Sequence, residues 1–268
     1  MASYAAYTAY RHVTPYLTPP GCQAGTGQQS VSLDPEQASI AATIAGVAAS
    51  ERLPGKAVTI AYATAMQESH MHNLAYGDRD SVGVFQQRPS EGWGTVGELE
   101  NPVYAATKFF AALVRVPGYL RMPVDRAAQA VQHSADGSAY AQYNLMAAAM
   151  TAAFTGGSPH AVWCWSTPGQ QPRADLAAAR DALAATFGAP GPDSAVAGFE
   201  TSRSGGQAVT AAVRVRSAPW TVAAWLVTHA ADYGITRVRY DGYAWSTANG
   251  TQGWRHDTGP GNGSILLD

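Results

Sequence analysis

One carboxylic acid lies where acid catalysis would need it. Glu68 falls near the end of an apolar stretch with helical periodicity, residues 56–70, just before a loop rich in glycine and aspartate at residues 76–88. Ala65 and Met66 precede it on the same stretch. Desolvation by such neighbours favours the neutral form of a carboxyl group, and a protonated carboxyl can donate to a glycosidic oxygen. Glu68 is therefore the candidate general acid.

The loop after this helix carries groups suited to binding a sugar. Gly83 would let the backbone approach a ligand closely. Gln86 offers an amide that can hydrogen-bond an acetamido group. Trp93, in the turn Gly-Trp-Gly-Thr, would either form the floor of a sugar cleft or simply fill the turn.

Two aspartates in the same loop leave two interpretations open. Asp78 or Asp80 could provide the second carboxylate that most glycosidases need, or both could organise the loop through Asx turns. A metal site is not expected here, because Arg79 separates the two acids. His70 and His72 are two residues apart, which places them on different faces of a helix, so they are not expected to bind metal either.

The pattern of this stretch resembles a known group of enzymes. Gln-Glu-Ser at residues 67–69 and Ser-Val-Gly-Val-Phe-Gln at residues 81–86 are similar to the Glu-Ser and Gly-Leu-Met/Phe-Gln motifs of lytic transglycosylases and goose-type lysozymes. The block from about residue 37 to 143 also resembles a lysozyme-like domain of actinobacterial envelope proteins. The resemblance implies Glu68 as the catalytic acid and Ser69 as its support. It implies an adjoining cleft wall formed by Ser81, Gly83, Phe85, Gln86 and Gln87.

A later part of the pattern differs from those families. Where they carry Ala-Tyr-Asn-Ala-Gly, this chain reads Ala-Val-Gln-His-Ser-Ala-Asp-Gly-Ser-Ala-Tyr at residues 130–140. The resemblance implies that Gln132, Ser134 and Tyr140 stand in for the tyrosine and asparagine that line the site in those families.

The sequence therefore predicts an enzyme that cleaves the β-1,4 bond between N-acetylmuramic acid and N-acetylglucosamine in peptidoglycan glycan strands. Glu68 would protonate the leaving oxygen and then deprotonate either water or the muramoyl 6-hydroxyl group. Chitin is another possible substrate. The alternative is a non-catalytic protein that binds or scaffolds peptidoglycan with a lysozyme-like fold. Neither function requires a cofactor.

The elements around these residues predict a mainly α lysozyme-like domain at residues 34–188. Asp34-Pro35-Glu36 has the features of a helix start, with an N-cap aspartate, a proline at the first position and an acid in the first turn. Further alanine-rich segments have helical periodicity. These segments are residues 103–116, 124–133, 140–154 and 173–187.

The rest of the chain predicts less regular parts and one smaller unit. Residues 1–33 are expected to form a flexible segment, and residues 189–206 a linker rich in Gly, Pro, Ser and Ala. Residues 207–268 are expected to form a small α/β C-terminal module. This module resembles the end of a small domain of actinobacterial cell-wall hydrolases but lacks its histidines, which implies an accessory role.

Composition sets the remaining expectations. The chain has 268 residues, of which 46% are hydrophobic and 13% charged, enough apolar material for a sizeable core. A net charge of -2 argues against nucleic-acid binding, and no apolar run is long enough for a membrane span. A monomer is expected.

The two cysteines, Cys22 and Cys164, are either free thiols or one disulfide, and we favour the disulfide. A disulfide implies an oxidising compartment, so an extracellular or cell-envelope location is expected. The N-terminus lacks the features of a standard signal peptide, which leaves the export route open.

Overall fold

The computed structural model describes residues 18–132, 137–167, 169, 172–204, 208–259 and 263–268. Part of the predicted flexible segment, residues 1–17, lies outside the described residues. Three further expectations fall outside them as well: the end of the predicted linker (residues 205–206), the last residue of the predicted helix 124–133, and Ser134 of the expected site.

The described residues form helices and strands along the whole chain. The helices are α1 (Pro35–Ser50), α2 (Gly55–Ser69), α3 (Val96–Leu99), α4 (Pro102–Leu113), α5 (Val124–Gln132), α6 (Asn144–Phe154), α7 (Leu176–Phe187), α8 (Pro219–Thr228) and α9 (Ala230–Tyr233). The strands are β1 (Gly21–Ala24), β2 (Val31–Leu33), β3 (Val162–Trp165), β4 (Val196–Ser204), β5 (Ala208–Val215), β6 (Arg237–Tyr240), β7 (Tyr243–Ser246), β8 (Arg255–His256) and β9 (Ser264–Leu267). Short 3-10 helices cover Gly27–Gln29, Pro89–Glu91, Gly137–Tyr143 and Thr247–Gln252.

The strands form two antiparallel sheets. The first has three strands in the order β2-β1-β3, and the second has six in the order β4-β5-β9-β6-β7-β8. The expectation of a mainly α lysozyme-like domain followed by a small α/β C-terminal module is therefore wrong. The chain has a mixed α/β fold.

The missed strands explain this error. Strands β1 and β2 lie in the segment expected to be flexible, and they have four and three residues, too few for a recognisable alternation of side chains. Strand β4 occupies part of the expected linker. It is an edge strand with exposed polar residues such as Glu200 and Ser202, so its composition resembles that of a linker.

Helices α1 and α2 form the centre of the helical layer. Alanine dominates their buried faces and allows the two helices to pack closely. The buried hydroxyl group of Tyr62 on α2 donates to the Ala41 carbonyl on α1 at 2.7 Å. Helix α1 begins with a capping box, in which Asp34 accepts from the Gln37 backbone N–H and Gln37 accepts from the Asp34 backbone N–H.

Helix α8 joins the six-stranded sheet to the helical layer. Every residue from Thr221 to Thr228 is buried, because α8 packs against α1, β3 and β6. Two tryptophans of the C-terminal part also cover β3. The indole N–H of Trp245 donates to the Cys164 carbonyl at 2.9 Å, and that of Trp254 donates to the Val162 carbonyl at 2.7 Å. The hydrophobic core is continuous from the first sheet to the second.

The predicted disulfide between Cys22 and Cys164 is present, and it joins directly opposed residues of β1 and β3. It fixes the first sheet against the end of the helical region. In the part of the chain that the structure describes, no helix is both long enough and apolar enough to cross a membrane.

Replacing both Cys22 and Cys164 with serine should lower the free energy of unfolding substantially. The bridge spans 142 residues, and restricting an unfolded chain over that length is worth about 5 kcal/mol in the chain-entropy model. Guanidinium denaturation measures the change. A reducing agent should destabilise the parent protein to the same extent and leave the double variant unaffected. Equal stability of parent and variant would contradict the expectation.

Candidate functional site

Glu68 lies in the last turn of α2, where the helix ends abruptly. His70 and Met71 both adopt left-handed backbone conformations, with φ of 52° and 62°. Their N–H groups donate back to the carbonyls of Met66 and Ala65, so these helix-end acceptors are satisfied. Glu68 is half-buried at this point.

Ser69 fixes the helix end to the loop that follows. Its buried hydroxyl group donates to the Val84 carbonyl at 2.7 Å and lies 3.1 Å from the Ala65 carbonyl. From the other side, the Gln37 side-chain amide donates to the His70 carbonyl at 2.9 Å. The Ser69 hydroxyl group thus contacts the helix and loop backbone, and among the described residues no hydrogen bond joins it to the Glu68 side chain.

The loop itself is a tight turn closed by an antiparallel bridge between Val82 and Gln87. Gly83 has a φ of +77°, and a Cβ atom there would lie 2.3 Å from the Leu99 carbonyl oxygen. The Gly83 N–H donates to the Leu74 carbonyl at 2.6 Å. Glycine is therefore required here both for its backbone conformation and for the close approach of the α3 end.

Phe85 and Gln132 attach the loop to two further helices. The Phe85 ring is fully buried and stacks on Phe109 of α4, with 4.5 Å between ring centroids. The Gln132 side-chain amide, at the end of α5, donates to the Phe85 carbonyl at 2.7 Å. These contacts therefore fix the position of the loop relative to α2, α4 and α5.

A cleft of about 370 Å³ opens beside this loop, a volume within the usual range for small-ligand sites. It is lined by Glu68, Asp78, Ser81, Gln86, Gln87, Arg88, Glu91, Trp93 and Gln132. Other clefts lie on the six-stranded sheet, where Asp257 and Asp268 are each paired with an arginine. The cleft beside Glu68 is therefore the candidate active site.

Tyr140 holds the Glu68 carboxyl group. The Tyr140 side chain, 1% exposed and carried by the 3-10 helix Gly137–Tyr143, donates its hydroxyl hydrogen to Glu68 Oε1 at 2.7 Å. No hydrogen bond joins Glu68 Oε2 to another of the described residues. One oxygen is thus fixed, which leaves the other for a ligand. Tyr140 contacts Glu68 but is not among the residues that line the cleft.

The two neighbouring glutamines have different surroundings. Gln86 has a left-handed φ of 47°, and its side-chain amide donates to the carbonyls of Tyr76 and Gly83 at 3.3 and 3.2 Å. Its N–H groups therefore hold the loop. Gln87 is 2% exposed and donates to the Ala105 carbonyl at 3.3 Å.

Asp80 and Arg88 form the acidic and basic part of the loop. Hydrogen bonds from the Ser90 backbone N–H and from Arg88 hold the pKa of Asp80 well below its usual range. Asp80 accepts from Arg88 at 2.7 Å, and Arg88 also bonds to Glu91. Asp80 therefore organises the loop as an ionised acceptor and does not line the cleft. Asp78 does line it, with a side chain that is 93% exposed.

Trp93 forms one side of the cleft and is half-buried. Its backbone carbonyl accepts from the Tyr104 hydroxyl group at 3.4 Å. Gly94 allows this packing, because a Cβ atom there would lie 2.7 Å from the Tyr104 hydroxyl oxygen. Trp93 therefore packs against the hydrophobic core and also lines the cleft.

The structure brings most of the sequence-predicted residues together at the cleft. Some of them line the cleft, and others lie behind its wall. Those that line the cleft with Glu68 are Asp78, Ser81, Gln86, Gln87, Trp93 and Gln132. Those that support the cleft without lining it are Ser69, Asp80, Gly83, Phe85 and Tyr140. Sequence reasoning missed Arg88 and Glu91, which also line it. Their position directly after the Phe-Gln-Gln segment was the available signal.

Within the residues that the structure describes, no group of three or more His, Cys, Asp or Glu side chains could hold a metal ion. No protein-family model matches the chain, and no curated protein matches it with significant similarity. The resemblance to lytic transglycosylases and goose-type lysozymes therefore rests on the motif residues alone.

Replacing Gly83 with alanine should destabilise the protein more than the same change at Gly92. Both glycines have a left-handed φ, but a Cβ atom at Gly92 meets nothing within 4 Å, whereas at Gly83 it meets a carbonyl oxygen. We expect a loss of about 1 kcal/mol at Gly92 from backbone strain alone, and about 3 kcal/mol at Gly83. Urea denaturation distinguishes the two. Equal losses would show that the contact with α3 does not constrain the loop.

Proposed function

We propose that this chain is a peptidoglycan-cleaving glycosidase of the lysozyme or lytic transglycosylase type, with Glu68 as its general acid and base. The observation that carries the proposal is the position of Glu68. It is half-buried at a helix end, in a cleft whose other walls offer amides, a hydroxyl group and an indole ring. The cleft also contains the charged side chains Asp78, Arg88 and Glu91. Its amides, hydroxyl group and indole ring are groups suited to a carbohydrate.

In the first step, Glu68 donates its proton to the glycosidic oxygen while the bond to the muramoyl C1 breaks. Tyr140 fixes Oε1, so the oxygen available for proton transfer is Oε2. Holding the acid in one orientation relative to the bond lowers the entropic cost of the step.

In the second step, the Glu68 carboxylate removes a proton from the attacking group, as microscopic reversibility requires. Attack by water gives hydrolysis, and attack by the muramoyl 6-hydroxyl group gives an anhydro sugar. The salt-bridged Asp80 is a poor candidate for a second catalytic carboxylate, since its two oxygens accept hydrogen bonds from Arg88 and Ser90. Asp78 lines the cleft and could assist.

We also propose an extracellular or cell-envelope location. The Cys22–Cys164 disulfide supports it, because disulfides persist in oxidising compartments. Peptidoglycan is found in the same compartment.

The function is tested by replacing Glu68 with glutamine. The parent protein should release soluble muropeptides from purified sacculi, and Glu68→Gln should release them at least about a thousandfold more slowly, because the amide cannot donate and recover a proton. Mass spectrometry identifies the products and separates reducing from anhydro ends.

Glu51→Gln is the matched control, since Glu51 is an exposed acid at the end of α1, and it should leave the rate unchanged. Binding of sacculi by the parent without any released product would contradict the enzymatic proposal and favour a binding or scaffolding role.

Replacing Tyr140 with phenylalanine should lower kcat and spare KM. The buried ring keeps its packing, but Glu68 loses the donor that orients it. A hydrogen bond to a charged group is worth about 1.5–3 kcal/mol, so kcat should fall by about 10- to 100-fold. Steady-state kinetics on soluble glycan fragments measure both constants. An increase in KM with unchanged kcat would show that Tyr140 does not position the acid.

A further inference from the structure

A histidine that contacts two carboxylates lies just beyond the helix end that carries Glu68. The Nδ1 atom of His72 lies 2.8 Å from Glu36 Oε2, and its Nε2 atom lies 3.4 Å from Asp34 Oδ2. Both acids belong to the start of α1, where Asp34 is the N-cap and Glu36 lies in the first turn. Each ring nitrogen of His72 therefore faces a carboxylate oxygen from another element.

Only the protonated imidazole ring can donate to both carboxylates. A neutral histidine has one N–H group and turns a lone pair toward the second acid, whereas the imidazolium ion donates from both nitrogens. The charge of histidine ordinarily changes between about pH 5 and pH 8. Burial raises the pKa of Glu36, but hydrogen bonds from the Asn73 backbone N–H and from His72 outweigh burial and hold that pKa below its usual value. Glu36 therefore stays ionised while His72 gains or loses its proton.

The start of α1 also holds the backbone that follows α2. The Asn73 N–H donates to Glu36 Oε1 at 3.0 Å, and the Gln37 side-chain amide donates to the His70 carbonyl at 2.9 Å. This backbone needs support, because His70 and Met71 both have left-handed conformations. Such conformations are strained for residues other than glycine and persist where surrounding contacts enforce them. The contacts from α1 therefore stabilise the end of α2.

The same segment continues into the wall of the candidate cleft. The Asn73 side-chain amide donates to the Glu100 carbonyl at 2.6 Å, at the end of α3. The next residue, Leu74, accepts from the Gly83 N–H at 2.6 Å. Gly83 belongs to the loop of residues 81–88, which forms the cleft wall. Two residues of backbone therefore connect His72 to a hydrogen bond of this loop.

The elements that contact this segment carry acids and no competing base. Neither α1 nor α3 contains a lysine or an arginine, and the segment itself contains one other titratable residue, His70. The His70 ring lies against Tyr143, and among the described residues no acid forms a salt bridge with it. The titratable side chains on these neighbouring elements are those of Asp34, Glu36, Glu98 and Glu100. No cation on these elements replaces the charge of His72 when its ring loses a proton.

We propose that His72, Asp34 and Glu36 form a pH-dependent clamp that fixes the Glu68 end of α2 and the adjoining cleft wall. The contacts of the clamp are complete at low pH, where the imidazole ring is protonated. They weaken as the pH rises through the titration of His72, because one ring nitrogen then no longer donates. The clamp does not depend on which reaction takes place in the cleft, so it is tested without a substrate.

Amide hydrogen exchange measured by NMR at about pH 5.5 and about pH 8 tests the clamp. The protection factors of the Asn73 and Gly83 amides should fall by about two- to fivefold at the higher pH, the size expected for a lost, partly exposed ion pair. In His72→Gln, both amides should already have the lower protection at about pH 5.5. In His72→Arg, which keeps a positive charge and several donors at every pH, they should stay protected at about pH 8.

His70→Asn is the matched control, because it removes the other histidine of the segment and asparagine tolerates the left-handed conformation. It should keep the pH dependence of the parent. The amide of Val227, in the buried helix α8, should be equally protected at both pH values, which separates a local effect from a change in global stability.

Three results would each overturn the proposal. They are equal protection of Asn73 and Gly83 at both pH values in the parent, an unchanged pH dependence in His72→Gln, and an equal fall in protection at Val227. Thermal melting checks that each variant is folded. A parent protein that releases no muropeptides from sacculi would contradict the proposed function and leave the clamp unaffected.

Discussion

The candidate site depends on one buried hydrogen bond, from the Ser69 hydroxyl group to the Val84 carbonyl. It fastens the loop of residues 81–88 directly to the end of α2, one residue beyond Glu68. It joins the acid-bearing helix end and the cleft wall directly. Gln132 and Phe85 then fix the other side of the loop to α5 and α4. Three helices thus determine where one short loop places its polar side chains.

The hydrogen-bond partner of Glu68 is neutral, although the same cleft contains charged side chains. The guanidinium group of Arg88 forms salt bridges with Asp80 and Glu91. Among the described residues, no cation forms a salt bridge with Glu68, whose hydrogen-bond donor is the neutral Tyr140 hydroxyl group. This arrangement is consistent with the role that we propose for Glu68.

The sequence predicted the end of the helix that carries Glu68, because that feature is encoded within a short stretch. Gly83, expected to let a ligand approach the backbone, instead lies against the Leu99 carbonyl group. The sequence predicted less about roles that depend on distant partners. Tertiary packing determines that the Tyr140 hydroxyl group reaches Glu68. It also determines that the Gln86 side-chain amide donates to the loop carbonyls.

The fold was predicted less completely for the same reason. The helices of the central region have clear periodicity. Strand β1, by contrast, pairs with β3, which is distant in sequence, and the Cys22–Cys164 bridge joins the two strands. Trp245 and Trp254 donate to β3 carbonyls and cover that strand. Neither contact leaves a signal in the local sequence. The C-terminal sheet therefore resembled an independent module in sequence, although it shares one core with the helices.

A crystal structure of the Glu68→Gln variant with a bound oligosaccharide of peptidoglycan would test the central claim most directly. Our account predicts that a glycosidic oxygen lies within hydrogen-bond distance of the residue 68 side chain, with an acetamido group against the loop of residues 81–88. A glycan bound on the six-stranded sheet, or one that spans the cleft with its linkages far from residue 68, would contradict it.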